Sequence, residues 1–360
     1  MQHEATQLEE KKPTMDLLLE VKNLKTYFFL EEGTAHAVDD VSFNIPRGRT
    51  LGVVGESGCG KSVTARSILR IVQPPGRIVG GEITYHRHAH SEAYGGARVA
   101  TGEKVESDEE VIKLTNLDPR GQAIRHIRGN EIAMIFQEPM TAFSPVHTIG
   151  SQLMEAITLH QKVDKREARD RAIEMLDRVG VSQPKQRIDD YPHQFSGGMR
   201  QRAMIAMALS CRPSLLIADE PTTALDVTTE AQILDLMGNI QSSYGMAMMY
   251  ITHNLGVVAE LAQEVVVMYM GKVVEHADVR TLFHSPQHPY MQALLRSIPH
   301  IGRKANELEA IKGMVPDPYH LPPGCRFHPR CREFQPGLCD LEEPELKAVE
   351  PGHEVRCLRR

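Results

Sequence analysis

The sequence predicts an α/β fold in which a mostly parallel sheet is covered by helices on both faces. Short apolar stretches, each bounded by polar or turn residues, predict strands at 51–54, 132–136, 215–218 and 247–252. Longer stretches with helical periodicity separate them, at 63–71, 165–179, 200–210 and 229–244. Because parallel strands need long crossover connections, this alternation favours a parallel sheet over an antiparallel one.

The N-terminal part has a different pattern. Residues 1–16 form a polar tail, and the strand predicted over 17–29 ends in the aromatic pair Tyr27 and Phe28. A second strand over 38–45 alternates, so that every other side chain is apolar. Two strands joined without a helix predict an antiparallel β portion that leads into the parallel core.

The composition restricts the class of protein. Of 360 residues, 41% are hydrophobic and 24% charged, which is typical of a soluble globular protein with a sizeable core. The net charge of −6 argues against nucleic acid as a partner. No apolar run approaches the roughly 18 residues of a membrane span, and residues 1–12 are unlike a signal peptide. We therefore expect a cytoplasmic protein.

A glycine-rich loop follows the strand at 51–54. Its residues are Gly55, Glu56, Ser57, Gly58, Cys59, Gly60, Lys61 and Ser62, and Val63 opens the helix after it. The spacing G-x4-G-K-S is that of the phosphate-binding loop, in which backbone N–H groups and a helix N-terminus surround an anion. Lys61 can reach the β- and γ-phosphates, and the Ser62 hydroxyl can bind Mg²⁺. The loop predicts binding of a nucleoside triphosphate.

Cys59 lies inside this loop, beside a helix N-terminus and Lys61. Both should lower the pKa of its thiol, and alkylation should then block the function of the loop unless bound nucleoside triphosphate protects the site. The alternative is a small residue tolerated at a free position of the loop.

Residues 86–118 interrupt the alternation. They are rich in polar residues and glycine, which predicts a surface insertion, with a short strand at 111–114. His86, His88 and His90 alternate, so they could bind a transition metal. A solvated loop that contains histidines is the other interpretation.

Two acidic residues end the strand at 215–218. Asp219 and Glu220 should lie at the carboxyl edge of the sheet, beside the phosphate-binding loop. Asp219 can hold Mg²⁺, and Glu220 can act as general base toward a water molecule. The alternative is a solvated strand end.

A second anion-binding segment precedes the helix at 200–210. Ser196, Gly197 and Gly198 offer a hydroxyl and two amides at a helix N-terminus. Taken alone, Ser-Gly-Gly would be a helix cap. Two such segments in one chain suggest a head-to-tail dimer, in which each nucleotide lies between the loop of one chain and Ser196 of the other.

With these motifs in order, the chain resembles the nucleotide-binding subunit of an ATP-binding cassette (ABC) transporter. The matching motifs are the Walker A loop at 55–62, the Q-loop at Gln137, the signature motif at 195–199, Walker B at 215–220, the D-loop at 224–226 and the switch histidine His253. The resemblance implies an ABC-type P-loop NTPase fold: a RecA-like parallel core, an antiparallel β subdomain and a helical signature subdomain at about 140–210. Phe195 replaces the leucine usual in the signature motif.

The resemblance also implies roles. ATP and Mg²⁺ are the implied cofactors, with Ser62, Gln137 and Asp219 at the metal. Glu220, His253, Gln137 and Lys61 are the implied catalytic residues. Phe28 or Tyr27 would stack on the adenine, while Val63 and Asp226 would complete the nucleotide site with the two glycine-rich segments.

The last third of the chain contains four cysteines, Cys325, Cys331, Cys339 and Cys357, with 5, 7 and 17 residues between them. In a reducing compartment such a group favours a metal site over disulfides, although the gaps are wider than those of zinc fingers. Four thiolates suit Zn²⁺ or a [4Fe–4S] cluster, and the alternative of no metal stays open. Residues 286–299 and 322–331 resemble importer ATPases of the dipeptide, oligopeptide and nickel group, which implies the cluster.

The resemblance divides the chain into a nucleotide-binding domain at 17–285 and a C-terminal extension at 286–360. It implies a peripheral ATPase on the cytoplasmic face of the membrane, driving import of di- or oligopeptides. The implied partners are a second, distinct ABC ATPase, two transmembrane permeases and an extracytoplasmic binding protein. Alternatives are the same role in a nickel or sugar importer, a soluble ABC ATPase without transport, or a small-molecule kinase. A kinase has no use for the anion-binding segment at Ser196.

Overall fold

The computed structural model describes residues 16–88, 109–137, 142–223, 225–298 and 311–360. In these ranges the strands are β1 Leu17–Leu30, β2 Gly33–Pro46, β3 Thr50–Val54, β4 Gly76–His88, β5 Glu109–Lys113, β6 Ile132–Ile135, β7 Leu215–Asp219, β8 Ala247–Thr252, β9 Glu264–Tyr269, β10 Lys272–Asp278, β11 Lys347–Glu350 and β12 His353–Val355. The α-helices are α1 Lys61–Ile68, α2 Gln122–Ile127, α3 Ile149–His160, α4 Lys165–Arg178, α5 Pro184–Arg187, α6 Gly197–Leu209, α7 Val227–Tyr244, α8 Leu255–Leu261, α9 Val279–His284 and α10 Pro289–Arg296. Short 3-10 helices lie at Leu114–Asn116, Pro192–Gln194 and His328–Arg330.

The central sheet has the strand order β11-β12-β10-β9-β3-β8-β7-β6. Its inner part, β9-β3-β8-β7-β6, is parallel, whereas β10, β12 and β11 continue it in antiparallel fashion. Every residue of β7 and β8 is buried, as expected for parallel strands with both faces covered. The predicted parallel core is therefore confirmed. The carboxyl ends of its strands meet at one edge.

The second sheet is antiparallel and has the order β2-β1-β4-β5. On β2, Val41, Phe43 and Ile45 are buried while the residues between them are partly exposed, which confirms the alternation predicted for 38–45. Thr26 of β1 hydrogen-bonds Ser67 of α1 at 2.8 Å, so this sheet packs on the helix that follows the glycine-rich loop.

Both described ends of the predicted 86–118 insertion lie in this sheet. β4 runs to His88, and β5 pairs with it through Glu109 and its neighbours. The His86 ring hydrogen-bonds the Glu109 carboxylate at 3.1 Å. The predicted metal site at His86, His88 and His90 stays a hypothesis, because His90 lies outside the described residues.

The region between β6 and β7 is helical. Its helices share one apolar core, in which Leu153 of α3, Ala172 of α4 and Ile205 of α6 are fully buried. Cys211, just after α6, is mostly buried and its thiol approaches the Ala156 carbonyl oxygen at 3.7 Å. It is a packing residue, in agreement with the helical spacing around it.

Candidate active site

The glycine-rich loop connects β3 to α1, and its conformation depends on glycine. Gly55, Gly58 and Gly60 have φ values of 151°, 79° and 105°, which side chains disfavour. A Cβ at Gly60 would also collide with the carbonyl oxygen of Ala37 on β2. The loop therefore packs closely against the antiparallel sheet, at a position where only glycine fits.

Lys61 opens α1 and is 5% exposed. Its Nζ donates hydrogen bonds to the carbonyl oxygens of Gly55 at 2.7 Å and Glu56 at 3.1 Å. It lies 3.9 Å from Oε1 of Glu220. The ammonium group is thus enclosed by the loop and faces the acid at the end of β7.

The next residue, Ser62, meets the other acid of β7. Its Oγ donates a hydrogen bond to Oδ1 of Asp219 at 2.9 Å. Burial raises the pKa of the Asp219 carboxyl, and the hydrogen bond from Ser62 offsets part of this rise. A hydroxyl and a carboxylate side by side are the oxygen ligands that Mg²⁺ prefers, so this pair fits the metal that the sequence predicts.

Glu220 is the centre of the site. Its Oε2 accepts hydrogen bonds from Nε2 of Gln137 and Oγ1 of Thr223, both at 3.2 Å, and lies 3.4 Å from Nδ1 of His253. Gln137 follows β6, Glu220 follows β7 and His253 follows β8, so three adjacent parallel strands deliver these groups. The Lys61 ammonium lies near the same carboxylate, 3.9 Å from Oε1 of Glu220. The structure therefore brings together the four residues predicted to be catalytic.

The signature segment forms a capped helix start. The Ser196 side chain accepts a hydrogen bond from the Met199 amide at 3.3 Å, and Phe195 is buried in the helical core. Gly198 lies against Thr229 of α7. In the part of the chain that the structure describes, neither Ser196 nor the two glycines after it hydrogen-bond the Lys61 loop. The two anion-binding segments of one chain are therefore not joined to each other.

Asp226 caps α7. Its Oδ1 accepts from the Thr229 amide at 2.9 Å and its Oδ2 from the Thr229 hydroxyl at 2.7 Å. Ala224, the first residue of the predicted D-loop, lies outside the described residues.

The two candidate stacking aromatics face different surroundings. Tyr27 donates its hydroxyl to Oδ1 of Asp39 at 2.8 Å, and its ring stacks on His36 with centroids 4.1 Å apart. Phe28 packs beside Gly76, where an added Cβ would lie 2.6 Å from its ring. One face of the Tyr27 ring is therefore already covered, and the choice between the two stays a prediction.

The prediction of a lowered pKa for Cys59 is wrong. The side chain is 4% exposed, and burial raises the pKa of the thiol, although Lys61 offsets part of the rise. The sequence shows a helix N-terminus and Lys61 beside Cys59, and both favour a lower pKa. It does not show that the thiol is buried, because burial depends on the packing of β9 and α1 around the loop. Desolvation of the thiolate outweighs the positive charge nearby.

Two residues of the C-terminal region reach the loop and were not anticipated. The Arg330 guanidinium contacts both carboxylate oxygens of Glu56, at 2.6 and 3.0 Å, and the Tyr290 hydroxyl accepts a hydrogen bond from the Glu56 amide at 2.9 Å. One feature of the sequence could have indicated such a contact. Glu56 is an acidic residue inside an anion-binding loop, and its carboxylate would need a cationic partner.

The four C-terminal cysteines line one cavity together with Phe327. None of them is in a disulfide, and the amide of Cys325 donates to the carbonyl oxygen of Cys339 at 2.8 Å. Burial, and then the charges of the other three thiols, raise the pKa of Cys325 to about 11. Across the described ranges, no three His, Cys, Asp or Glu side chains are arranged to hold a metal ion.

Two family models match the chain. The model described as "ABC transporter" matches residues 38–223, just over half of the sequence. The chain belongs to the ABC transporter family. The model described as "Oligopeptide/dipeptide transporter, C-terminal region" matches residues 274–339 of this ABC protein.

Curated relatives match almost the whole length. The oligopeptide transport ATP-binding protein AppD of Bacillus subtilis (strain 168) is 49% identical, over 95% of this chain and 97% of its own. The probable peptide ABC transporter ATP-binding protein y4tR of Sinorhizobium fredii is 47% identical, over 96% of each chain. The dipeptide transport ATP-binding protein DppD of Escherichia coli (strain K12) is 43% identical, over 94% and 96%.

Solved structures support the fold. The dimeric post-hydrolysis cassette MJ0796 bound to ADP and Pi aligns with a TM-score of 0.59 at 24% identity, over 73% of this chain and 99% of its own. The predicted ABC-type fold is thereby confirmed. The family match and the curated relatives show that the chain is an ATPase of this family. In the ranges described, no helix is long and apolar enough to cross a membrane.

Proposed function

We propose that this protein binds and hydrolyses ATP to energise import of di- or oligopeptides across the cytoplasmic membrane. The observation that carries the proposal is the convergence of Lys61, Gln137 and His253 on Glu220 at the sheet edge, in a chain whose 274–339 region matches peptide transporters. Residues 17–285 would form the nucleotide-binding domain and 286–360 its C-terminal extension.

Within one chain, different residues would bind the phosphates and the metal ion. Amides of the 55–62 loop other than that of Glu56, together with the Lys61 ammonium, bind the β- and γ-phosphates, because a helix N-terminus and a cation both attract anions. Ser62 and Asp219, with Gln137, would hold Mg²⁺. When bound, Mg²⁺ supplies positive charge that neutralises the phosphate oxygens.

Glu220 is the proposed general base. It takes a proton from a water molecule whose oxygen attacks the γ-phosphorus, and the bond from the γ-phosphorus to the β–γ bridging oxygen breaks to release ADP. His253 and Gln137 orient the water and the γ-phosphate, since both side chains already contact the Glu220 carboxylate.

A second ABC ATPase completes the site. In a head-to-tail dimer, Ser196, Gly197, Gly198 and Asp226 of one chain would close on the ATP held by the other. The anion-binding donors of this segment do not engage the Lys61 loop of their own chain, which supports a role toward a partner. We propose a distinct second ATPase, two permeases and an extracytoplasmic binding protein, with this chain peripheral on the cytoplasmic face.

We further propose that Cys325, Cys331, Cys339 and Cys357 hold a [4Fe–4S] cluster that braces the C-terminal extension. Four thiols around one cavity supply the ligand type of such a cluster, although as placed in the described ranges they do not form a preassembled metal site. Anaerobic purification followed by iron, sulfide and zinc analysis tests this. About four irons per chain, lost in a Cys331→Ser/Cys357→Ser variant, are expected. Stoichiometric zinc, or no metal, would contradict the proposal.

The function is tested by uptake. The protein is purified with its co-encoded membrane partners, placed in vesicles with the binding protein and supplied with ATP and labelled peptides of different length. ATP-dependent peptide uptake is expected, and Lys61→Ala should abolish it while Lys347→Ala, an exposed lysine of the extension, should not. Uptake of nickel or sugar without peptide would overturn the proposal.

A further inference from the structure

The Walker A loop contains a carboxylate whose partner comes from the far end of the chain. Glu56 is the second residue of the loop, and Arg330 binds it through two hydrogen bonds of 2.6 and 3.0 Å. Such a fork-to-fork pair fixes direction as well as distance. The backbone amide of Glu56 donates separately to the Tyr290 hydroxyl of α10 at 2.9 Å. Side chain and backbone of one loop residue are thus both held by the C-terminal region.

Arg330 is itself firmly positioned. Its side chain is 4% exposed, its Nε donates to the Lys312 carbonyl oxygen at 3.3 Å, and its Nη1 lies 3.4 Å from the Tyr269 hydroxyl of β9. The hydrogen bonds that Arg330 donates to Glu56 raise the pKa of Arg330 above its usual range. The guanidinium therefore stays charged and has little freedom to leave Glu56.

The charge balance of the loop gives this contact a function. A carboxylate in a loop that binds a triphosphate repels the ligand unless a cation neutralises it. Arg330 is that cation, because its guanidinium contacts both Glu56 oxygens. Lys61 points elsewhere, at the carbonyl oxygens of the loop and toward Glu220.

We propose that Arg330 and Tyr290 are positioning residues of the ATP site, which neutralise Glu56 and hold its backbone so that the loop is ready for phosphate. The C-terminal extension thereby sets the affinity for ATP. Arg330 directly precedes Cys331 of the four-cysteine cavity, so a displacement of that segment is passed to the loop. The inference rests on the proposed function only in that the loop binds ATP.

The test uses the full-length chain with its partners, and measures binding of a fluorescent ATP analogue together with kcat and KM for ATP. Arg330→Met should weaken ATP binding about tenfold and raise KM, with a smaller change in kcat, because repulsion acts on the bound ground state. Arg330→Lys should recover part of the affinity. Tyr290→Phe, which removes only the acceptor for the Glu56 amide, should weaken binding in the same direction.

The decisive variant is Glu56→Gln/Arg330→Met. Removing the carboxylate removes the repulsion, so the double variant should bind ATP within about twofold of wild type, and Glu56→Gln alone should bind at least as tightly as wild type. The matched control is Arg356→Met. Arg356 is equally buried and ties the extension to Asp40 at 3.1 Å, but it does not contact the loop.

The outcomes separate the two proposals. If wild-type protein does not bind ATP, the proposed function fails. If wild type binds but Arg330→Met binds as tightly, or Arg356→Met loses as much affinity, the role of Arg330 is refuted. Failure of Glu56→Gln to restore ATP binding would refute it too, since only a structural role for Arg330 would then remain.

Discussion

Glu220 combines an unusual backbone with a fully engaged side chain. Its φ of 46° lies in the left-handed region, which costs a non-glycine residue about 1–3 kcal/mol. The Glu220 amide donates to the Ile251 carbonyl oxygen of β8 at 2.9 Å, so the neighbouring strand holds this conformation. The strain turns the carboxylate away from the line of β7 toward Lys61 and His253.

Cys59 provides a prediction at the same scale. Because burial raises the pKa of its thiol, the native protein at pH 7.5 should react with a neutral maleimide at least about tenfold more slowly at Cys59 than the unfolded chain does. Mass spectrometry of timed digests measures this. Cys59→Ser should keep its ATPase activity. Fast labelling of Cys59 that ATP suppresses would instead favour a reactive thiolate in the loop.

At the scale of elements, the C-terminal strands are attached to the core by a buried charged group. Glu275 of β10 is fully buried and accepts hydrogen bonds from the amides of Gln287 and His288, and its Oε1 lies 2.8 Å from Nε2 of His353 on β12. A buried carboxylate left without these partners would be costly. The extension is therefore connected to the sheet by specific polar contacts in addition to strand pairing.

His276 gives this attachment a pH dependence. Burial lowers its pKa, but Glu264 of β9 and Glu354 of β12 together raise it to about 9, above the ordinary 6.5. The stabilisation is fully present below pH 6.5 and is lost as pH rises through 9, with an upper bound of about 3 kcal/mol. Urea unfolding of wild type at pH 7 and pH 9.5 should show this loss.

The control for that measurement is His276→Gln. It lacks the titrating ring, so the difference in unfolding free energy between wild type and variant should shrink between pH 7 and 9.5. A difference that stays constant over this range would mean that His276 is not protonated in the folded protein.

At the scale of the whole molecule, the proposed head-to-tail dimer would make this site one half of an assembly. The parallel sheet presents Lys61, Asp219, Glu220 and His253 at one edge, whereas the Ser196 segment starts a helix of the helical region. In the proposed dimer, a closed nucleotide site would need both surfaces, one from each chain. This is the reason for testing the dimer directly.

Glu220→Gln should slow ATP hydrolysis by about 10²–10⁴-fold and accumulate a closed dimer when ATP is present, because ATP binds but is not cleaved. Light scattering with the partner ATPase measures the mass. Adding Ser196→Arg to the same variant should prevent formation of the dimer, because the larger side chain would clash at the proposed interface. Full turnover by Glu220→Gln would exclude Glu220 as the general base.

The sequence predicted much of this because the information is local. A strand, a glycine-rich loop and a helix are contiguous over 51–68, and the acids of β7 directly follow an apolar stretch. Their meeting at one edge then follows from parallel strand topology alone. By contrast, the sequence predicted a short strand at 111–114, close to β5, but neither β4 nor the pairing of the two strands, because a long polar segment separates them.

The parallel core, the phosphate-binding loop and the acids beside it could be predicted from the sequence, because each depends on neighbouring residues and on hydrophobic periodicity. The raised pKa of the Cys59 thiol and the partner of Glu56 depend instead on how distant parts of the chain pack together. Burial of Cys59 depends on every element packed around the loop, and Arg330 is 274 residues from Glu56 in the chain. The pattern of neighbouring residues in the sequence gives no information about such contacts, because only folding brings these distant residues within hydrogen-bond distance.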